Sequence, residues 1–280
     1  MNIYIQTRSV MKDYQFLGDS PKDSWWMDYK EYTSFEHPTV IVEGNTSQQW
    51  RIYLSGMNSS RVDKVNTPIR YTFILEDTKP VPDSELPQVL GFIQAWTQAI
   101  YDSESKNKLQ SRLDDLFSID EIDTYFASPE QNKGQIQSRF NQWLRNFSHN
   151  VEFKGVQVNS KSYIGSQQSQ IAFYQRCKSI LQMKESAQAQ SALHLNYIES
   201  KKELENTQLV NEDDYKFRFT LLVEAEDVKF SEIHLKKKTI DVQQAPTVPN
   251  PPIQYPKKNL HLFVGVGVGI IAIILMIILF

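Results

Sequence analysis

Residues 69–76 read IRYTFILE and carry the clearest strand signal in the chain. Apolar and aromatic side chains occupy every second position, at Ile69, Tyr71, Phe73 and Leu75. Successive side chains of a strand point to opposite faces, and β-branched and aromatic residues are enriched in strands. The stretch therefore predicts a strand with one face turned towards a hydrophobic core.

Shorter stretches upstream have the same character. We predict strands at Ile3–Gln6, Thr39–Glu43 and Trp50–Leu54, with a turn at residues 44–47 between the last two. The aromatic stretch Asp23–Thr33 predicts a short helix or an aromatic-rich loop. Several strands before the first long helical pattern indicate that a sheet forms the first part of the domain.

Downstream, Pro80 and Pro82 break the strand and the periodicity changes to that of helices. Three apolar stripes at helical spacing follow, and their members are Leu86, Val89, Leu90, Ile93, Trp96, Ile100 and Tyr101; Leu109, Leu113 and Leu116; and Ile136, Phe140, Trp143, Leu144 and Phe147. Ser118 and Glu121 have capping-box spacing, which predicts a short helix over Ser118–Phe126. A further helix is predicted over Ile171–Met183.

The last part of the domain is expected to return to strands. Val151–Val158 predicts a strand, and Ala192–Ile198 is compatible with helix or strand. Lys216–Glu224 and Val228–Leu235 predict a terminal strand pair, joined as a hairpin across residues 225–227. Strands, a central helical block and strands again indicate an α+β fold, with mixed α/β as the alternative, over residues 1–241. Two sub-lobes, residues 1–80 and 81–241, are a second way to divide this region.

A proline-rich stretch and an apolar segment follow the domain. Residues 242–256, VQQAPTVPNPPIQYP, contain five prolines. Prolines disfavour helix and sheet, so residues 242–259 are expected to form an extended linker. Residues 260–280, LHLFVGVGVGIIAIILMIILF, contain no Asp, Glu, Lys or Arg. As a helix, this segment would be roughly 31 Å long, about the thickness of the hydrocarbon core of a bilayer, and we predict a single C-terminal transmembrane helix.

The flanks of this segment predict its orientation. Lys257 and Lys258 precede the span, and positive charge favours the cytoplasmic side. The N-terminal sequence lacks the apolar core of a secretory signal, and a lone cysteine, Cys177, agrees with a reducing compartment. We therefore expect a single-pass membrane protein with most of the chain on the cytoplasmic side.

Glycines in the apolar segment suggest helix association. Gly265 and Gly269 form a small-xxx-small pair on one helix face, which lets two helices approach closely. Association through this face would make the protein a homo-oligomer in the membrane. The alternative is that these glycines reflect the general frequency of glycine in membrane spans.

The candidate ligand-binding residues centre on residues 54–68, LSGMNSSRVDKVNTP, which we interpret as a loop between two strands. Small residues, hydroxyls and guanidinium groups are suited to binding an anion. The candidates are Arg8, Ser55, Gly56, Ser59, Ser60, Arg61, Asp63 and Arg70. The competing interpretation is a solvated hairpin loop with an Arg61–Asp63 ion pair.

Other kinds of site have little support in the sequence. The five histidines and the single cysteine show no metal-ligand spacing, so neither a metal ion nor another cofactor is expected. Acidic pairs such as Asp114-Asp115 and Asp120-Glu121 are typical of solvated helix faces. Residues 1–241 contain 28 basic and 33 acidic residues, a net charge of −5, which disfavours general nucleic-acid binding.

Three functions remain open. The first is a non-enzymatic, membrane-tethered module that binds a partner protein or a small anionic ligand and clusters through its membrane helix. This plan is similar to that of membrane effectors in bacterial defence and signalling, without a shared motif. The second is a membrane-tethered enzyme acting on a nucleotide or phosphorylated substrate through Ser59, Arg61, Asp63 and Arg70, and the third is an assembly adaptor at the membrane.

Overall fold

A computed structural model describes residues 1–29, 33, 36–44, 48–148, 163–165, 170–184, 189–195, 217–223 and 231–232. Within these ranges the chain forms an α+β fold, as the sequence predicts. These ranges contain nine strands, five α-helices and one 3-10 turn. The predicted strand at Val151–Val158, the linker at 242–259 and the apolar segment at 260–280 lie outside them.

Nine strands form one sheet with the order β2-β1-β5-β4-β3-β7-β8-β6-β9. Their bounds are β1 Asn2–Thr7, β2 Gln15–Phe16, β3 Thr39–Gly44, β4 Trp50–Val62, β5 Pro68–Asp77, β6 Tyr163–Gly165, β7 Ala189–Leu195, β8 Phe217–Val223 and β9 Ser231–Glu232. The six strands from β2 to β7 are all antiparallel to their neighbours. Parallel pairing begins only beyond β7, between β7 and β8 and between β8 and β6.

Five α-helices and one 3-10 turn accompany the sheet. The 3-10 turn spans Trp25–Tyr29, and the helices are α1 Leu86–Tyr101, α2 Ser103–Leu116, α3 Ile119–Ala127, α4 Pro129–Leu144 and α5 Gln170–Leu181. These positions confirm all five predicted helices. The predicted capping box is also present, because Ser118 and Glu121 exchange side-chain and backbone hydrogen bonds at the start of α3.

One hydrophobic core joins the sheet to the helices. Phe73 of β5 lies at its centre, with ring centroids 5.3 Å from Phe92, 5.7 Å from Trp96 and 5.8 Å from Trp143. The helical stripes predicted from the sequence supply most of the helix-side residues of this core. The 16-residue α1 is the central helix of this layer, since its buried side chains meet both β5 and α4.

The predicted loop at residues 54–68 is wrong for most of its length. β4 continues to Val62, so Ser55, Gly56, Ser59, Ser60 and Arg61 belong to a strand, and the turn is confined to the residues after Val62. The register of β4 against β5 shifts between Leu54 and Met57 and again between Asn58 and Val62. Polar and small residues thus lie in a bulged strand, where periodicity no longer reveals the pairing.

The predicted terminal hairpin is also wrong. β8 and β9 do not pair with each other, because β6 lies between them, parallel to β8 and antiparallel to β9. β6 has three residues, too few to give a periodic signal, so the sequence does not reveal that a strand lies between β8 and β9. The ambiguous stretch at residues 192–198 is resolved as strand in its described part, β7.

No helix within the described ranges is long and apolar enough to cross a membrane.

Candidate functional site

Arg61, the central cation of the candidate set, closes the C-terminal end of α2. Its Nη2 donates to the carbonyl oxygen of Asp114 at 2.5 Å and its Nη1 to that of Phe117 at 2.6 Å. Its Nε lies 3.3 Å from Oδ1 of Asp114. The last carbonyl groups of a helix lack intrahelical partners and carry partial negative charge, so a guanidinium group stabilises this end.

β4 contains two irregularities, one at Gly56 and one between Asn58 and Val62. Before the first, the even-numbered residues Ile52 and Leu54 face the helix layer; after it, the odd-numbered Met57 does, because one extra residue reverses the side to which the next side chains point. Arg61 lies in the second irregularity, where side chains no longer alternate regularly, and both Ser60 and Arg61 contact Asp114 of α2.

Gly56 has a conformation suited to this bulge. Its φ is +77°, and a Cβ atom at this position would lie 2.2 Å from the carbonyl oxygen of His37. Ser55, the residue before it, accepts a hydrogen bond from Trp96 Nε1 at its backbone oxygen, at 3.1 Å. Both residues are thus placed by backbone geometry and by contact with α1.

The two remaining serines also have partners inside the molecule. Ser60 donates its backbone N–H to Oδ2 of Asp114 at 3.2 Å, and its hydroxyl bonds the same oxygen. Ser59 is buried, and its Oγ accepts the N–H of Arg61 at 3.2 Å. Ser60, Arg61 and Asp114 thus form a joint between β4 and α2, which we call the β4–α2 joint.

Arg8 and Asp63 form a second group at the β4–β5 turn. Arg8 Nη1 lies 3.0 Å from Asp63 Oδ2, and Asp63 Oδ1 accepts N–H groups of Val65 at 2.9 Å and Thr67 at 2.8 Å. The N–H of Thr67 first, then that of Val65 and the charge of Arg8, hold the pKa of Asp63 below its ordinary value. The predicted Arg61–Asp63 ion pair is not formed; each residue has a different partner.

Arg70 lies on β5 opposite Asn58. Its backbone N–H donates to Tyr14 Oη at 3.1 Å, and its carbonyl oxygen accepts from Thr7 Oγ1 at 3.0 Å. The structure therefore brings five of the eight candidates together in two groups, Ser59, Ser60 and Arg61 beside Asp114 and Arg8 with Asp63, while Ser55, Gly56 and Arg70 have other partners or positions. Ligand binding by these eight residues stays a prediction.

A set of interacting residues that sequence analysis missed crosses the other side of the sheet. Glu76, Arg51, Glu43 and Ser191 lie directly opposite one another on β5, β4, β3 and β7. We call these four residues the polar row. Strand prediction alone does not contain this information, because it does not include the register between strands.

Glu43 is the most buried charged member of the polar row, with 4% of its surface exposed. Tyr29 Oη donates to its Oε2 at 2.9 Å and lies 3.2 Å from Ser191 Oγ. Arg51 Nη1 is 3.7 Å from Glu43 Oε1, while Arg51 Nη2 is 3.1 Å from Asp23 Oδ2. Burial raises the pKa of Glu43 to about 7, against the opposing effects of Tyr29 and Arg51.

The other buried groups with reactive side chains belong to the core. Cys177 is fully buried on α5, as expected for a core residue, and burial raises the pKa of its thiol. His194 on β7 hydrogen-bonds Tyr101 Oη through Nε2, and burial lowers its pKa to about 3. Among the described residues, no three His, Cys, Asp or Glu side chains come together as a metal site.

Comparison with protein-family models, with curated proteins and with solved structures finds no match to this chain.

Proposed function

We propose that this protein is a single-pass membrane protein, anchored by residues 260–280, whose cytoplasmic domain binds a partner protein or a small anionic ligand. The observation that carries the proposal is the run of 21 residues without Asp, Glu, Lys or Arg. A helix of that length satisfies its own backbone hydrogen bonds and matches a bilayer core, which is the physical condition for spanning lipid.

The linker at residues 242–259 supports a tethered module. Its five prolines favour extended backbone, and at about 3.1 Å per residue its first 15 positions would reach roughly 45 Å. Such a spacer would let the domain meet partners away from the lipid headgroups. Lys257 and Lys258 at its end favour the cytoplasmic side.

The contacts of the candidate cations favour a binding module over an enzyme that uses those cations. The guanidinium of Arg61 already meets two carbonyl groups and a carboxylate, and that of Arg8 meets Asp63. A phosphorylated substrate at Arg61 would have to break the β4–α2 joint. These contacts support recognition as the role of the domain, and clustering through Gly265 and Gly269 would convert recognition into a signalling or defence response.

Membrane fractionation tests the anchor. We expect the full-length chain to pellet with membranes and to resist alkaline extraction. Ile270→Lys with Ile274→Lys places two charges at the centre of the span, each costing about 2.5–3.5 kcal/mol, and should release the protein. The matched control replaces the same two residues by Leu and should still pellet. A wild-type chain that remains in the supernatant with its tail intact would refute the proposal.

A crosslinking measurement tests clustering. Full-length protein in membranes should give crosslinked oligomers, and Gly265→Leu with Gly269→Leu should reduce them because large side chains keep the helices apart. Val264→Leu with Val268→Leu alters the neighbouring face and serves as the control. Equal crosslinking in all three proteins would remove the glycine pair from the mechanism.

A further inference from the structure

A cleft of about 260 Å³ lies between α1, α2 and the residues that follow α4. The α1 side is formed by residues 91, 94, 95 and 98, and the α2 side by residues 105, 108, 109 and 112. Each set recurs every three or four residues, so the cleft follows the seam where the two helices pack. Residues 146–148 close one end.

Most of the accessible surface that lines the cleft is polar. Its two large apolar residues, Leu109 and Phe147, are buried, and Gly91 and Ala95 place only small side chains on the α1 side. Neutral groups able to donate hydrogen bonds line the cleft, and they come from Gln94, Gln98, Ser105, Asn146 and Ser148. Such a lining suits a polar ligand that accepts hydrogen bonds.

The charge of the cleft has one sign. Lys108 and Arg112 line it, one helical turn apart on α2, and its lining contains no Asp or Glu. The nearby acidic residues Asp102, Glu104 and Asp115 are not part of the lining, and Asp102 caps α2 by accepting the N–H of Ser105 at 2.7 Å. Within the described ranges, neither Lys108 nor Arg112 forms an ion pair.

Arg112 is also held in position. Its Cζ lies 4.7 Å from the centre of the Phe147 ring, and its backbone carbonyl accepts from Trp143 Nε1 at 2.8 Å. A guanidinium stacked on an aromatic ring keeps the edges of its fork available for an anion. This contrasts with Arg61, whose hydrogen-bonding groups are directed at protein acceptors.

We propose that the α1–α2 cleft is a binding site for a small phosphate-bearing molecule, held by Lys108 and Arg112. A phosphate dianion matches the two positive charges, and its terminal oxygens can accept further hydrogen bonds from Ser105, Gln98 or Asn146. The negative charge of residues 1–241 as a whole confines anion attraction to a local site of this kind. The assignment rests on the proposed function in one respect, because the phosphate-bearing molecule would be the small anionic ligand of the proposed binding module.

Calorimetric titration of the full-length chain in neutral detergent tests the site, with inorganic phosphate and glycerol 3-phosphate as probes. We expect saturable binding of both, weakened at least about tenfold by Lys108→Gln with Arg112→Gln, because two charge-assisted contacts are lost. Lys106→Gln is the matched control: Lys106 lies on α2 but does not line the cleft, and binding should be unchanged. Absence of saturable binding, or equal loss in the control, overturns the assignment.

Further variants separate loss of binding from loss of folding, and a vesicle measurement separates a lipid phosphate from a free phosphate. Lys108 is exposed, so Lys108→Gln alone leaves the core intact and should still weaken binding several-fold, whereas Arg112→Lys, which keeps the charge but not the planar fork, should weaken binding less than Arg112→Gln does. Phosphatidylcholine vesicles with and without phosphatidic acid distinguish a lipid phosphate from a free one, and binding of either supports the phosphate class. Tighter binding of acetate than of phosphate overturns it.

The outcome is separable from that of membrane fractionation. A chain that pellets with membranes but ignores phosphate keeps its anchor and loses this site. A chain that binds phosphate through Lys108 and Arg112 but stays in the supernatant keeps the site and loses the anchor.

Discussion

The two faces of the sheet are built from the same strands but have different chemistry. On the helix-covered face, Phe73 lies among Phe92, Trp96, Phe140 and Trp143. On the other face, Glu76, Arg51 and Glu43 cross three adjacent strands in one row. The first face is stabilised by burial of apolar area, which tolerates no charge, and the second by hydrogen bonds and ion pairs that depend on register.

Residues on the face that carries the polar row are also buried, so exposure to solvent does not by itself distinguish the two faces of the sheet. Tyr53 and Ile74, neighbours of the polar row, are both buried. Trp25 and Trp26 of the 3-10 turn cover this face, and Trp26 stacks on Tyr53 with ring centroids 5.4 Å apart. The polar row therefore lies inside a second packed layer. Because burial disfavours charged forms, a change in the protonation of its residues changes the stability of the fold.

The largest effect is expected from a substitution in the apolar, helix-covered face of the sheet. Phe73→Ala should lower the free energy of unfolding by about 3–5 kcal/mol, because it removes a ring that contacts five other aromatic side chains. Urea unfolding of the full-length chain in neutral detergent measures the change. Phe126→Ala, at a partly buried ring, is the control and should cost clearly less. Equal losses would mean that the Phe73 cluster is not the centre of the core.

The next effect tests the polar row through pH. The pKa of Glu43 is raised from 4.5 to about 7, so between these values the folded state binds the proton more tightly than the unfolded state does. Stability contributed by this group is therefore full below about pH 4.5 and is lost as the pH rises towards 7, by about 2–3 kcal/mol.

Glu43→Gln isolates that contribution. The amide cannot ionise, so the fall in stability between pH 4.5 and 7 should become shallower in the variant, as measured by urea unfolding at several pH values. Glu104→Gln, at an exposed position on α2, should leave the wild-type pH profile unchanged. An identical pH profile in wild type and Glu43→Gln would show that Glu43 titrates normally.

A smaller effect is expected from a substitution at Gly56, in the bulge of β4 where the side chains facing the helix layer change from even-numbered to odd-numbered residues. Gly56→Ala should destabilise the fold by about 1–3 kcal/mol, because alanine is strained at φ +77° and its Cβ would meet the His37 carbonyl oxygen. Gly134→Ala is a matched control on α4, where a Cβ meets nothing within 4 Å, and it should be neutral or stabilising. Thermal unfolding of both variants distinguishes backbone strain from a general effect of the added methyl group.

The smallest effect tests the contact between Arg61 and the C-terminal end of α2. Arg61→Gln should cost about 1 kcal/mol, since the C-terminal carbonyl groups of α2 lose their charged donor. Lys64→Gln changes the same charge in the exposed turn and should have no measurable effect. If Arg61→Gln left stability unchanged while abolishing phosphate binding, Arg61 would belong to a ligand site and not to the β4–α2 joint.

The sequence predicted the positions of the helices and of most strands, but it predicted poorly how the strands pair and what their side chains contact. The reason is physical. Apolar periodicity located α1, α2 and α4, because a helix buries one stripe and the stripe repeats at fixed spacing along the chain. It failed at β4, where the polar segment Ser55–Arg61 seemed a loop, because a bulged strand has no regular period. It also failed at β6, which is too short to show any pattern.

For the candidate site, too, the sequence predicted residue types but not the contacts between them. Residue types alone selected Arg61 and Asp63 as charged groups near one another, but their partners are Asp114 and Arg8. Lys108 and Arg112 were overlooked because spacing along α2 does not reveal that the surface beside them is concave and free of carboxylates.

Local patterns by themselves determined where the helices lie, which strands open the domain, and that residues 260–280 form an uninterrupted apolar segment. Each of these depends only on which residue types follow one another at fixed intervals. The tertiary structure alone decided that Glu43, Arg51 and Glu76 form a row, that Arg61 faces α2, and that two cations line a cleft. These features depend on strand register, on the irregular pairing of β4 with β5 between Asn58 and Val62, and on helix packing, all of which arise from contacts between residues far apart in the chain.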